Sequence, residues 1–92
     1  MSGKNRKWLV YILECKDATL YTGITDNLEK RIAAHNCGRG AKYTRGRGPL
    51  QLRYVEEYDN HSQALRREIA IKRLSRNEKI RLCDAYRTVR VE

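Results

Sequence analysis

Two tyrosines, an arginine, a histidine and a glutamate stand out in this 92-residue chain. Tyr11 sits in the apolar run Trp8-Leu9-Val10-Tyr11-Ile12-Leu13, and Tyr21 in Leu20-Tyr21-Thr22-Gly23-Ile24. The polar break between them, Glu14 to Thr19, makes the pair read as a β-hairpin with one tyrosine in each arm. Arg31 and His35 are four residues apart, so on a helix they share one stripe. Glu68 falls between Ala64, Leu65 and Ile71 on a wheel of about 100° per residue. A carboxylate on that apolar arc costs stability unless it finds a partner. It either pairs with Lys72 one turn on or points into a site and holds a cation. A guanidinium can grip an oxyanion bidentately, and an imidazole can move a proton near neutral pH. Each residue also has a plainer use. Tyrosine is a common half-buried strand residue, and Arg31 with His35 could form a solvated stripe.

Net charge supplies the partner class. The chain carries +9, and a polyanion, most commonly nucleic acid, is the natural complement. Between Glu29 and Glu56 there is no acid, yet Lys30, Arg31, Arg39, Lys42, Arg45, Arg47 and Arg53 fall there. A one-signed stretch repels itself unless something anionic neutralises it, which favours a phosphate-binding surface over a solubility role. Residues 37–48, C-G-R-G-A-K-Y-T-R-G-R-G, form a loop whose glycines let a phosphate approach the main chain. Lys42, Arg45 and Arg47 surround Tyr43, a pattern that suits nucleic-acid contact, and Arg39 joins them as a candidate binding residue. The other reading is a flexible linker with one anchoring tyrosine. No P-loop pattern is present.

These residues need elements to hold them. Strand one spans Trp8–Glu14; both of its faces are apolar, which predicts a central strand covered on each side. Strand two spans Thr19–Ile24. Thr25 or Asp26 caps a first helix, with Glu29 three after Asp26 as in a capping box, running to Asn36. Strand three is Leu50–Tyr58, with Leu50, Leu52, Tyr54, Glu56 and Tyr58 facing inward. A second helix starts at Asn60-His61-Ser62 and runs to about Leu74. Ser75 and Glu78 restart a third, to about Arg87. His61 reads as an exposed residue at a helix start.

The length allows one domain with a modest core. Residues 8–87 make that domain, and 1–7 and 88–92 read as loose ends. No stretch approaches the ~20 apolar residues of a membrane span, and Trp8–Leu13 is too short for a signal-peptide core. An intracellular, cytoplasmic protein is expected. Cys15, Cys37 and Cys83 are dispersed and lack metal-ligand spacing, which fits reduced thiols.

Taken together, the sequence resembles the GIY-YIG nuclease superfamily. Val10-Tyr11-Ile12 stands where that family has G-I-Y, and Tyr21-Thr22-Gly23 where it has Y-I-G. Arg31 and His35 match the arginine and the histidine-or-tyrosine of the first helix, and Glu68 matches the metal-binding glutamate. The chain is most similar to small stand-alone bacterial members sharing L-Y-T-G-x-T, H-x-x-G-x-G-A-x-Y-T-R-G and A-L-R-x-E-x-x-x-K-x-L-S. It departs from the pattern at Leu9-Val10, where the first glycine is missing, and at Thr22. Asn77 follows Glu68 by nine residues, where catalytic members carry an asparagine on a following segment.

The resemblance implies an α+β fold, a three-stranded antiparallel sheet flanked by helices in the order β-β-α-β-α-α. It implies a metal-dependent DNA endonuclease, structure-selective, acting in repair or recombination, with a partner protein supplying targeting. The other readings are a DNA- or RNA-binding module without catalysis, and an RNA-directed nuclease. Glu68 would hold Mg²⁺ or Mn²⁺, and Arg31 would offset phosphate charge. Tyr11 would be the base-side tyrosine and Tyr21 the second of the pair. Bringing a phenol from a pKa near 10 to ~7 takes roughly 4 kcal/mol. Arg31 or a metal-bound water is expected to supply much of that, with His35 able to take the proton.

Overall fold

The computed structural model describes residues 7–90, with side chains described through Tyr86. Of the ends expected to be loose, 1–6 and 91–92 lie outside the described residues. The elements are β1 (Trp8–Glu14), β2 (Leu20–Thr25), α1 (Leu28–Asn36), β3 (Gln51–Tyr58), α2 (His61–Lys72) and α3 (Arg76–Arg90). A 3₁₀ turn, Lys42–Thr44, interrupts the glycine-rich loop. The sheet is antiparallel with strand order β2-β1-β3, so the α+β expectation and the central place of β1 both hold.

β1 is central because it is apolar on both faces, and two clusters use those faces separately. Val10 and Ile12 pack with Tyr54, Ala64, Ile71 and Cys83, beneath α2 and α3. Tyr11 and Leu13 pack with Cys15 and Leu50, and Leu28 and Ile32 of α1 close over them. Val10, Tyr11, Ile12 and Leu13 are all 0% exposed. Burying an aliphatic or aromatic side chain stabilises by about 1.5–3 kcal/mol each, so this strand anchors both layers.

Two local expectations need correction. The cap of α1 is Asn27, whose Oδ1 accepts from the Lys30 N–H at 3.1 Å. Thr25 and Asp26 do not cap it, because β2 continues through Thr25, and the Thr25 hydroxyl accepts from the Asn27 N–H instead. In β3 the inward set does not share one face. The register against β1 shifts between Ile12 and Leu13: Ile12 faces Tyr54, but Leu13 faces Leu52, leaving Arg53 as the extra residue. Such a bulge reverses which residues face which side. Tyr54 and Tyr58 therefore join the α2–α3 side, Leu50 joins the α1 side, and Leu52 stays 37% exposed.

The helix starts follow their caps elsewhere. Asn60 Oδ1 accepts from the Gln63 N–H, and Ser75 and Glu78 close a reciprocal capping box at the start of α3. α3 continues to Arg90, past the expected end at Arg87. Glu56 on β3 accepts from the Tyr54 and Tyr58 hydroxyls and is gripped by Arg67 of α2 at 3.0 Å, which ties helix to sheet. Cys15, Cys37 and Cys83 are free. No helix among the described residues is long and apolar enough to cross a membrane.

Candidate active site

The tyrosines reach their positions by strand pairing. Tyr11 of β1 lies opposite Gly23 of β2, and Leu13 opposite Tyr21, so both phenols stand on the α1 face of the sheet. Gly23 has a steric role here: a Cβ on it would sit 2.5 Å from the Tyr11 hydroxyl and 3.1 Å from the Tyr21 ring. α1 then lays His35, 2% exposed, against the pair. Ring centroids lie 6.4 Å apart for Tyr11–Tyr21, 6.1 Å for Tyr11–His35 and 5.3 Å for Tyr21–His35.

A hydrogen-bonded chain runs through this cluster. The Tyr11 hydroxyl is 3.1 Å from His35 Nε2. His35 Nδ1 is 2.9 Å from Thr44 Oγ1, and the Thr44 hydroxyl donates to the Ala41 carbonyl at 2.9 Å. A hydroxyl has one hydrogen to give. If it goes to Ala41, Thr44 Oγ1 must accept from Nδ1–H, so Nε2 is the bare nitrogen and Tyr11 donates to it. The Ala41 N–H also approaches Nδ1, at 3.4 Å, and would favour the opposite tautomer. The shorter contacts outweigh that long one. Thr44 is 1% exposed, so this end of the chain is buried. Gly40 allows the loop to close, since a Cβ there would collide with the His35 ring. The loop glycine expected to admit a phosphate thus makes room for a side chain.

Arg31, on the next turn of α1, borders the same group. Its charge favours ionisation of Tyr11 and disfavours protonation of His35. Burial nevertheless dominates both. It pushes the Tyr11 phenol up to about 12, with the Arg31 guanidinium offsetting only part of the shift and nearby Tyr21 and Glu68 adding to it. Arg31 alone does not bring the phenol toward neutrality, because the desolvation of a buried phenolate outweighs one adjacent cation. Burial, then Arg31, holds His35 below the usual imidazole range. His35 is therefore neutral at pH 7 and able to accept a proton.

Glu68 is brought near Tyr11 from α2, and its side chain is 13% exposed. Lys72 Nζ lies 3.2 Å from Glu68 Oε2, so the pairing weighed as the plainer reading is present. Among the described residues no group of three or more His, Cys, Asp or Glu side chains converges. A single carboxylate does not suit zinc. It does suit a hard cation that keeps its waters and takes phosphate oxygens. Asn77 is exposed in the first turn of α3.

The basic loop is partly engaged within the protein. Tyr43 stacks on Tyr21 at 5.9 Å, and the Arg47 guanidinium covers the Tyr43 ring at 4.5 Å. Arg47 also bonds Asp17 at 2.7 Å, and its carbonyl accepts from the Lys16 N–H at 2.6 Å. Asn36 Oδ1 accepts from the Leu50 N–H at 3.0 Å. These ties replace the picture of a flexible linker. Arg39, Lys42 and Arg45 are exposed on its outer side. Sequence reasoning missed Thr44 and Gly40; the available signal was a hydroxyl and a glycine among cations, following a histidine.

Comparison with known proteins identifies the family. Residues 7–81 match the GIY-YIG catalytic domain. The chain is 63% identical over 73 residues to a UPF0213 protein of Clostridium perfringens, covering 79% of this chain and 78% of that protein. It is 56% identical over 70 residues to a UPF0213 protein of Halobacterium salinarum, covering 76% of this chain and 91% of that one. A solution structure of a UPF0213 protein from Bacillus halodurans is 46% identical, with a TM-score of 0.57 over 86% of this chain and 84% of that one. A solution structure of an E. faecalis protein is 34% identical, with a TM-score of 0.59 over 94% and 88%.

Proposed function

Because the chain belongs to the GIY-YIG family of catalytic domains, a nuclease family, we propose that it is a metal-dependent endonuclease hydrolysing DNA phosphodiester bonds. The observation that carries this reading is the buried Tyr11–His35–Thr44 chain, with Arg31 and Glu68 close enough to act on Tyr11. It accounts for how a phenol can act as a base without ionising beforehand. With a pKa about five units above neutrality, only about 1 in 10⁵ molecules would hold Tyr11 as phenolate at pH 7. Instead, Tyr11 accepts the proton of the attacking water while passing its own to His35 Nε2. Imidazole is a competent acceptor because it is neutral and its Nδ1–H is already bonded to Thr44.

Arg31 binds the scissile phosphate and offsets the charge that builds in the transition state. Tyr21 holds the water or a phosphate oxygen in line with the leaving group. Glu68 would hold Mg²⁺ or Mn²⁺, which would supply charge stabilisation for the phosphate and leaving oxygen. Lys72, 3.2 Å from Glu68 Oε2, would compete with a cation for that carboxylate. Arg39, Lys42, Tyr43, Arg45 and Arg47 contact the nucleic-acid backbone. Backbone contacts carry no base sequence, so selectivity would follow DNA structure, as suits repair or recombination.

The test is nicking of supercoiled plasmid with Mg²⁺ or Mn²⁺ by wild type, Glu68→Ala and Tyr11→Phe. The reading expects cleavage by wild type and its loss in both variants. If all three behave alike, the enzyme reading falls and a non-catalytic nucleic-acid-binding module takes its place.

A further inference from the structure

The basic surface extends beyond the loop to the start of α3, whose cations no motif singled out. A groove of about 190 Å³ lies between the glycine-rich loop, the hairpin turn and the start of α3, lined by Thr19, Leu20, Tyr43, Arg76 and Lys79. Arg76 and Lys79 are three apart in α3, so they project to the same side of it. The lining holds these two cations and no acid.

Its remaining groups indicate what it does not do. The Thr19 hydroxyl is committed to Asp17 at 2.6 Å. Tyr43 already stacks on Tyr21 and carries Arg47 on its ring, so it serves as a wall more than as a platform for a base. What the groove offers a ligand is positive charge beside a phenol. That is the chemistry of a sugar–phosphate backbone. Tyr43 is also the partition between this groove and the Tyr11–Tyr21–His35 cluster. Its centroid is 5.9 Å from that of Tyr21, and a nucleic-acid strand advances only about 3.4 Å along its axis per nucleotide. A strand with one phosphate at the tyrosines therefore reaches the groove within a few nucleotides.

We propose that this groove is a second phosphate-binding site, in which Arg76 and Lys79 hold the backbone of the strand flanking the scissile bond. It rests on the nuclease reading for the position of that bond. The groove would fix the direction in which the strand leaves the active site, independently of base sequence.

The test compares wild type with the double variant Arg76→Gln/Lys79→Gln. Binding to a labelled branched DNA duplex is followed by fluorescence anisotropy across a salt series. Losing two phosphate contacts should flatten the slope of log K against log salt by about 1.8, at about 0.9 per contact. The charge-keeping pair Arg76→Lys/Lys79→Arg should retain the wild-type slope. Ser75 and Glu78, which cap α3, are untouched in both. An unchanged slope in the glutamine variant overturns the site, even if affinity drops, because a folding defect lowers affinity without removing counterion release. A wild type that binds but does not cut overturns the nuclease reading and leaves the slope to decide the groove. A wild type that binds no nucleic acid overturns both.

Discussion

Thr44→Val tests whether the loop sets the proton position on His35. Thr44 is 1% exposed, and its hydroxyl lies 2.9 Å from both His35 Nδ1 and the Ala41 carbonyl. Valine fills the same space without the hydroxyl, which would leave Nδ1–H buried and unpaired. Such a donor costs about 1–3 kcal/mol. The ring has a cheaper option, since moving its proton to Nε2 lets the bare Nδ1 accept from the Ala41 N–H, now 3.4 Å away. The variant should therefore switch tautomer. Nε2 would then carry hydrogen and could no longer take the Tyr11 proton. A bias of about 1.4–2.8 kcal/mol toward the wrong tautomer lowers cleavage by about 10–100-fold at saturating DNA, at 1.36 kcal/mol per tenfold. Nitrogen-15 NMR of the His35 ring reads the tautomer directly, with or without activity, and single-turnover cleavage reads the consequence. Thr44→Ser keeps the hydroxyl and should restore both. If Thr44→Val retains the Nδ1–H tautomer and cleaves at the wild-type rate, the relay is wrong.

Gly23→Ala places a methyl 2.5 Å from the Tyr11 hydroxyl; it should cost about 1–3 kcal/mol in urea unfolding and displace Tyr11 enough to reduce nicking. His35 sits below its ordinary value of 6.5, mainly through burial and then through Arg31. Cleavage should therefore hold steady down to about pH 6.5 and decline only below it, while Tyr11, at about 12, adds no change below about pH 10. An acid limb centred above pH 7 would count against a neutral His35 as acceptor. The same shift bears on stability: the unfolded chain binds the His35 proton first, so the contribution is complete above about pH 6.5 and is lost as pH falls through the lower folded value. Glu56→Ala removes the acceptor shared by Tyr54, Tyr58 and Arg67. It should cost about 3 kcal/mol, visible as a lower urea midpoint with an unchanged slope.

The parts of the fold readable in advance were those governed by short-range rules. β1 spans Trp8–Glu14 as its apolar run indicates, and the Ser75–Glu78 box closes as its spacing indicates. The register shift at Arg53 was not readable, because the alternation from Leu50 to Tyr58 looks continuous in sequence. Only pairing against β1 reveals that Leu50 and Tyr54 serve opposite faces. Asn27 displaced Asp26 as the cap for a similar reason: both residue types cap well, and the end of β2 decided between them. Thr44 and Gly40 act on His35 across a loop closure, and Arg76 and Tyr43 line one groove from distant parts of the chain. The pattern H-x-x-G-x-G-A-x-Y-T-R-G holds His35, Gly40 and Thr44 at fixed spacing but does not reveal that they touch.

Tyr11 shows how a correct reading at one level can undo an expectation at another. The double-sided apolar pattern of Trp8–Leu13 correctly made β1 the central strand. A central strand is also a dry one, and Tyr11 is 0% exposed. Counting Arg31 as a neighbouring cation suggested a phenol poised near neutrality, but the burial that the same pattern demands drives it up to about 12. One guanidinium cannot offset that desolvation. On the proposed mechanism Tyr11 would therefore hand its own proton to His35 as it takes one from water. A neutral imidazole laid against Tyr11, with its far nitrogen tied to a buried hydroxyl, is the arrangement that proposal needs.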